Sequence, residues 1–222
     1  MFPSITHDDV YRIETPRLWL RWPQLADAPA IADFARHKQV AQMTASIPHP
    51  YPTHQAVDFV RTTRISNQSG ATLELLIVLK GQIQKVIGTV LLRFAVAANE
   101  QDNAQTMTLQ PMIGYALHPD HWGFGYASEA CRAIIEAVFT LTSITGITAT
   151  VRIENAASIH ILEKLGFNRQ QERTSYAPLR GLPYQVFDYR LDRDAWRGLS
   201  GEAILPLDLI KPYQWTDWVG AA

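Results

Sequence analysis

Met112 to Phe139 reads MIGYALHPDHWGFGYASEACRAIIEAVF. Its first six residues, Met112 to Leu117, are mostly apolar and have strand character. His118 to Gly125 is a turn containing Pro119, Asp120, Gly123 and Gly125. Tyr126 to Phe139 then reads as a helix. Ala127, Ala130, Cys131, Ile134, Ile135, Val138 and Phe139 recur with the helical period that buries one face. Glu129, Arg132 and Glu136 fall on the opposite face, where the pattern places solvent.

A strand, a glycine turn and a helix start form an anion site. The first turn of a helix carries N–H groups without partners, and the helix dipole adds partial positive charge there. Glycines let the backbone approach a phosphate with no Cβ in the way. An ordinary strand-to-helix connection has the same outline, so the turn alone leaves both readings open. It is not a P-loop, because no Gly-Lys-Ser/Thr closes it. It departs from a dinucleotide motif as well. Ser128 stands where a third glycine belongs, and Glu154 lies too far on to be the ribose acid.

Upstream, Ile13 to Trp22 reads IETPRLWLRW, with Leu18 and Leu20 alternating against Arg17, Trp19 and Arg21. The alternation predicts one strand with one buried face. Gln24 to Arg36 predicts a helix beginning near Asp27. The three prolines of Ile47 to Pro52 exclude regular structure, and Thr53 then suits an N-cap for a second helix ending near Asn67 to Gly70. Thr72–Leu79 and Val86–Phe94 predict a hairpin, and Ala97–Gln105 a polar loop. Met107–Leu117 predicts the strand that leads into the glycine turn.

Downstream, Ile147 to Ile153 is β-branched and predicts a buried strand. Asn155 caps a helix running to Leu165, where Gly166 stops it and lets Phe167 fold back on Leu162. Gln185–Leu191 predicts a last strand. Residues 193–222 hold three of the six tryptophans and carry no assignment.

WGFGYASEA resembles the acyl-coenzyme-A loop of the GCN-related N-acetyltransferase (GNAT) superfamily. That motif runs Gln/Arg-x-x-Gly-x-Gly/Ala, with Trp122, Gly125 and Ala127 at its first, fourth and sixth positions. Trp122 departs from the general pattern and is similar to the branch of ribosomal-protein N-terminal acetyltransferases. Glu-Thr-Pro-Arg-Leu-x-Leu-Arg at the first strand and NAASIHILEKLGF at Asn155 to Phe167 resemble two further stretches of that branch, in the same order. Three motifs agreeing are far more specific than one.

The resemblance implies an α/β GNAT fold. Its sheet is mixed and mostly antiparallel, splayed between the strand ending at Leu117 and the strand Ile147–Ile153, with helices on both faces. It implies a catalytic domain at 12–192 and leaves 193–222 as a C-terminal extension. It implies an enzyme, an acetyl-CoA-dependent N-acetyltransferase acting on a primary amine. The first acceptor in view is a protein N-terminus. The alternatives are a small amine (amino acid, polyamine or antibiotic) and a CoA-binding module with little catalysis.

In the family, pantetheine pairs with the strand before the loop, here Tyr115, Ala116 and Leu117. The pyrophosphate rests on Gly123, Phe124, Gly125, Tyr126, Ala127 and Ser128, beside Trp122. Asn155 lies near the pantetheine arm. Two positions depart from common family usage. Leu162 occupies the place of a tyrosine proton donor, and Met112 the place of a glutamate base. Ser158, one helical turn before Leu162, is the remaining candidate donor to the departing thiolate, with a capping or surface serine as its other reading. Glu74, His118 or a chain of waters is left as base.

Composition closes off other classes. A chain of 222 residues, 47% hydrophobic with net charge -1, is an ordinary globular composition for one sizeable domain. Near-neutrality provides no electrostatic footprint for nucleic acid or a membrane surface. The single cysteine, Cys131, excludes an intramolecular disulfide and reads as core. The N-terminus lacks a signal-peptide pattern and no stretch is long enough to span a bilayer, so a cytoplasmic monomer or homodimer is expected. Histidine spacing provides no metal site, and His118 with His121 has no second pair. No Gly-x-Ser-x-Gly elbow supports a serine hydrolase.

Overall fold

The computed structural model describes residues 11–81, 85–97, 108–176, 179, 181–200 and 210–212. The chain begins with β1 (Tyr11–Glu14) and β2 (Leu18–Arg21), then α1 (Ala28–Ala35), α2 (Lys38–Met43) and α3 (Thr53–Gln68). It continues with β3 (Thr72–Leu79), β4 (Lys85–Ala97), β5 (Thr108–Leu117), α4 (Tyr126–Leu141), β6 (Gly146–Arg152) and α5 (Ala156–Lys164). It closes with β7 (Asn168–Tyr176), β8 (Pro183–Asp192), α6 (Arg193–Ser200) and β9 (Ile210–Pro212). Among the described residues the strands form one sheet in the order β7-β8-β6-β5-β4-β3-β2-β1-β9.

Neighbouring strands are antiparallel except β5 and β6, which run parallel and share the single register pair Met112↔Thr148. Beyond Met112 the two strands diverge, so the β6-facing backbone edge of Gly114 to Leu117 has no strand partner. This is the splay expected from the sequence.

Two apolar clusters separate the faces. Ile113, Leu117 and Ile87 pack against α4, Leu162 and Leu165 of α5, and Trp196 of α6. Leu76, Val78, Val86 and Ala116 pack against α1, α2 and α3 on the other face. Strand alternation places Tyr115 on the α4–α5 face and Gly114 on the α1–α3 face.

Several expectations change. Ile13–Trp22 is two strands, because Pro16 interrupts the run and the chain doubles back in register Ile13↔Leu20. Arg21 is buried rather than solvent-facing, since Asp27 pairs with both its terminal nitrogens at 2.8 Å. The helix predicted from Gln24 begins with a 3₁₀ turn at Leu25–Asp27 before α1. Pro52, not Thr53, holds the N-cap position of α3, and no side chain caps it. α2 and the polar strand β7 carry no sequence expectation at all. Every described side chain of β7 except Ser175 is exposed, so it lacks the alternation that marks a strand.

The helical period places Glu136 toward solvent, but α6 covers it and Trp196 donates to it at 2.6 Å. Arg193 also closes the end of α4, donating to the carbonyls of Phe139, Thr142 and Ile144. Cys131 is fully buried, as expected. The Ala97–Gln105 loop expectation lies outside the described residues apart from Ala97, which ends β4.

Candidate active site

The glycine turn has the conformation its residues demand. Gly123 and Gly125 sit at φ +81° and +80°, the left-handed region that costs other residues energy. A Cβ on Gly123 would meet no atom within 4 Å, so conformation rather than crowding requires glycine there. Gly125 is the N-cap of α4 and supplies no side-chain cap. A 16-residue helix thus points uncapped first-turn N–H groups at the mouth of the β5–β6 splay.

The first strand pair braces this turn. Arg17 donates to the Phe124 carbonyl at 2.9 Å and pairs with Glu129 at 2.6 Å. Its backbone N–H and the Thr15 hydroxyl reach the other Glu129 oxygen at 3.0 and 2.6 Å. Burial alone would raise the Glu129 pKa, but the Thr15 and Arg17 contacts hold it below the usual carboxylate range. Arg17 also lies over the Tyr126 ring at 4.6 Å. The Thr-Pro-Arg and glycine motifs, far apart in sequence, are therefore one structure. Their separate appearance in the sequence hides a direct contact.

Trp122 folds back and donates its indole N–H to the Leu117 carbonyl at 2.9 Å. That occupies one of the strand-end acceptors expected to face pantetheine. Ala116 and Leu117 are buried, Tyr115 half-buried, and Trp122 and Phe124 exposed at the turn. Tyr126 and Ala127 open α4, with Ser128 lining a shallow groove alongside Pro16, Arg132 and Lys164.

Asn155 caps α5, its Oδ1 accepting the Ser158 N–H at 3.1 Å. The Ser158 hydroxyl therefore sits at the helix start, on the far bank of the splay from β5. Tyr115 reaches across to it, with the two hydroxyl oxygens 2.6 Å apart. Burial raises the Tyr115 pKa, so the phenol stays protonated. A Tyr115 proton donated to Ser158 frees the serine proton for a third group. The sequence marks Tyr115 only for its backbone and Leu162 as the missing tyrosine. Leu162 is core, and the phenol comes from the neighbouring strand instead. Sequence spacing carries no signal for that, because the pair is 43 residues apart.

Of the base candidates, His118 is committed elsewhere. It is buried, and its Nδ1 accepts the Asp120 N–H at 3.1 Å. Its Nε2 lies 3.0 Å from His37 Nε2 and 3.4 Å from Asp33. Asp33, His37 and His118 bring three potential ligand atoms within 4.8 Å of one another, a grouping that histidine spacing conceals. With Nδ1 accepting, the neutral His118 ring carries its proton on Nε2 and donates to His37. A cation at Nε2 would have to displace that proton and the Asp120 bond together.

Glu74 is different. It projects from β3 on the α1–α3 face, with Thr89 donating to it at 3.2 Å. Burial raises its pKa to about 7, against smaller lowering effects from Thr89, Thr63 and Arg93. Met112, at the usual glutamate position, has the Arg93 guanidinium 3.9 Å from its sulfur.

The model of the acetyltransferase (GNAT) domain matches residues 17–168, more than half of the chain. The chain belongs to the GNAT acetyltransferase family. This acetyltransferase is 29% identical over 184 residues to the uncharacterized N-acetyltransferase p20 of Bacillus licheniformis, covering 83% of this chain and 97% of that protein. Its fold matches the ribosomal L7/L12 α-N-protein acetyltransferase RimL, solved with coenzyme A (TM-score 0.69, 18% identity, 83% of this chain and 99% of that one). It also matches the microcin C7 self-immunity acetyltransferase MccE, solved with acetyl-CoA and AMP (TM-score 0.67, 19% identity, 80% and 93%). The acetyltransferase is acetyl-CoA-dependent, and these solved relatives hold CoA or acetyl-CoA. Among the described residues no helix is long and apolar enough to cross a membrane.

Proposed function

We propose that this acetyltransferase moves the acetyl group of acetyl-CoA onto a protein N-terminal amine. The observation that carries the peptide acceptor is the incompletely covered sheet face beside Ile47 to Pro52. Leu91, Met112 and Gly114 all keep partial exposure in mid-sheet. An extended chain end fits an open face better than it fits an enclosed cavity.

The roles follow from the chemistry. The N–H groups of Gly123 to Ser128 take the pyrophosphate at the start of α4. The edge of Tyr115 to Leu117 that β6 leaves without a strand, its Leu117 carbonyl already held by Trp122, takes the amide-bearing pantetheine arm, with Asn155 facing it across the splay. Arg132 and Lys164 supply positive charge along the groove beyond Ser128. Ser158 donates a hydrogen bond to the sulfur as the carbon–sulfur bond breaks, and the Tyr115 hydroxyl behind it strengthens that donation. Residues 12–192 are the catalytic domain and 193–222 an extension. The enzyme works in the cytoplasm as a monomer or homodimer, with neither nucleic acid nor membrane as partner.

Acetyl-CoA turnover across peptides with free N-termini, amino acids, polyamines and aminoglycosides tests this reading. Peptides should lead the panel. Preference for a small amine overturns the peptide acceptor, and CoA binding without turnover of any amine overturns catalysis.

A further inference from the structure

We infer that Glu74 is the general base that deprotonates the acceptor amine, working from the α1–α3 face of the sheet while Ser158 and Tyr115 serve the thiolate from the opposite face. This rests on acetyl transfer to an amine as proposed above.

The first observation is how Glu74 is held. Asn67 of α3 is fully buried, and its side chain clasps the Glu74 main chain, donating to the carbonyl at 2.8 Å and accepting the N–H at 2.9 Å. β2 pairs with β3 only from Leu76 onward, so Asn67 stands in for the missing strand at Glu74. The backbone is fixed, yet the carboxylate is only lightly satisfied. Thr89 shares its hydroxyl between Glu74 at 3.2 Å and the Leu75 carbonyl at 3.1 Å, and Thr63 lies at 3.5 Å. Among the described residues no cation is within ion-pair distance of it. A neutral glutamine would serve two threonines equally well without the desolvation of a charge.

The second observation is where it points. Glu74 is half-buried, not sealed. In register it stands opposite Leu91, and Leu91 stands opposite Gly114. Two strand spacings place the Glu74 and Gly114 backbones about 10 Å apart. The Glu74 carboxylate reaches the Thr89 hydroxyl of the intervening strand, and half-buried Leu91 lies on the same face between it and β5. A Cβ on Gly114 would make ordinary contact with Leu91 at 3.5 Å. Packing therefore does not demand glycine there. Gly114 adds no side chain of its own beside Leu91 where the splay begins.

The third observation concerns neighbours that set the charge. Tyr51, from the proline-rich segment, lies close enough that the Glu74 charge raises its pKa, after burial and together with Asp58. Arg93 of β4 is the one charged side chain drawing the Glu74 pKa down, and among the described side chains β5 presents Met112, Gly114 and Ala116 on this face, none of them charged. A carboxyl poised near neutrality accepts a proton and releases it again between turnovers.

The acceptor ammonium passes one proton to Glu74, and its nitrogen lone pair attacks the thioester carbon. As the tetrahedral intermediate collapses, the carbon–sulfur bond breaks and the thiolate gains a proton through Ser158. The nitrogen loses its second proton to solvent, which restores the serine side, and Glu74 returns its proton to solvent. The products are the amide and free CoA.

The test is the pH dependence of kcat/KM for wild type, Glu74→Gln and Thr89→Val, with two acceptors of different amine pKa and calorimetry for acetyl-CoA. Wild type should show an acid limb near 7 that does not move with the acceptor. Glu74→Gln should lose about a hundredfold at neutral pH, within the usual range for a general base, with acetyl-CoA affinity unchanged. Its limb should then follow the amine pKa of each acceptor. Thr89→Val removes a bond to the ionised form and should move the wild-type limb up by about half a pH unit. A Glu74→Gln enzyme with the wild-type limb and rate overturns the inference while leaving amine acetylation standing. A wild-type limb that already follows the acceptor does the same. A wild-type enzyme silent on every amine removes the acceptor reading and this inference with it.

Discussion

At the glycine turn, Thr15 and Arg17 grip Glu129 and Phe124 through four contacts of 2.6 to 3.0 Å. Around Glu74, the carboxylate has one donor at 3.2 Å and another at 3.5 Å. The turn after β5 is braced by charge-assisted bonds, and the site on β3 keeps a carboxylate underserved. The difference matches what each site must do. A pyrophosphate is the same in every turnover, so its cradle can be rigid and made of backbone. A base must change protonation within each turnover, so strong partners that fix its charge would disable it.

The strongest way to break the comparison is to put a side chain on the rigid turn. Gly125→Val adds a β-branched residue at φ +80° and fills space above the helix start. Acetyl-CoA affinity should fall more than about a hundredfold by calorimetry, while circular dichroism stays native. Unchanged affinity in a folded variant would mean the turn is only a connector.

Next comes the thiolate side. Ser158→Ala should lower kcat by up to about a hundredfold with acetyl-CoA binding nearly unchanged, because the bond forms only as charge develops on sulfur. Tyr115→Phe should lower kcat less, by about tenfold, if the phenol acts through the serine. The double variant should then be no worse than Ser158→Ala alone. Additive losses would separate the two hydroxyls.

The underserved site makes a prediction about stability. The Glu74 pKa rises from its ordinary 4.5 to about 7 on folding, so the folded state favours the protonated acid. Its contribution is fully present below 4.5 and is lost as pH rises through 7. Glu74→Gln should therefore be more stable than wild type at pH 8, by about 2 kcal/mol after allowing for partial exposure, and equal to it at low pH. Chemical denaturation at two pH values reads this directly. A glutamine variant less stable at pH 8 would show Glu74 to be a structural acceptor.

The smallest effect tests the brace. Arg17→Ala removes the Phe124 and Glu129 contacts but no group of the cradle itself. Because Arg17 is partly exposed, acetyl-CoA affinity should weaken only about fivefold. Loss as large as that of Gly125→Val would mean the brace, not the glycine conformation, forms the cradle.

Features that depend on local backbone chemistry can be read directly from the residues. The glycine turn, the Asn155 cap and the Gly166 stop were legible because each needs particular residues at fixed offsets. In the structure Gly166 sits at φ +85°, and Phe167 donates back to Leu162 at 3.0 Å. β3, β4, β5, α4 and β6 were legible through their hydrophobic periods. Periodicity failed where a tertiary partner replaced water. Glu136 looked like a solvent residue until Trp196 covered it, and Arg21 until Asp27 paired with it. It failed again at β7, which packs almost nothing and so shows no alternation.

Which distant side chains meet is set by the folded sheet. Thr15 and Arg17 reach Glu129, Tyr115 reaches Ser158, and Asn67, Thr63 and Thr89 converge on Glu74. The physical reason is the same in each case. A backbone conformation is set by the few residues that adopt it, so it leaves a mark in sequence. A side-chain contact across the sheet depends on register and on the splay of β5 from β6, which no local pattern encodes.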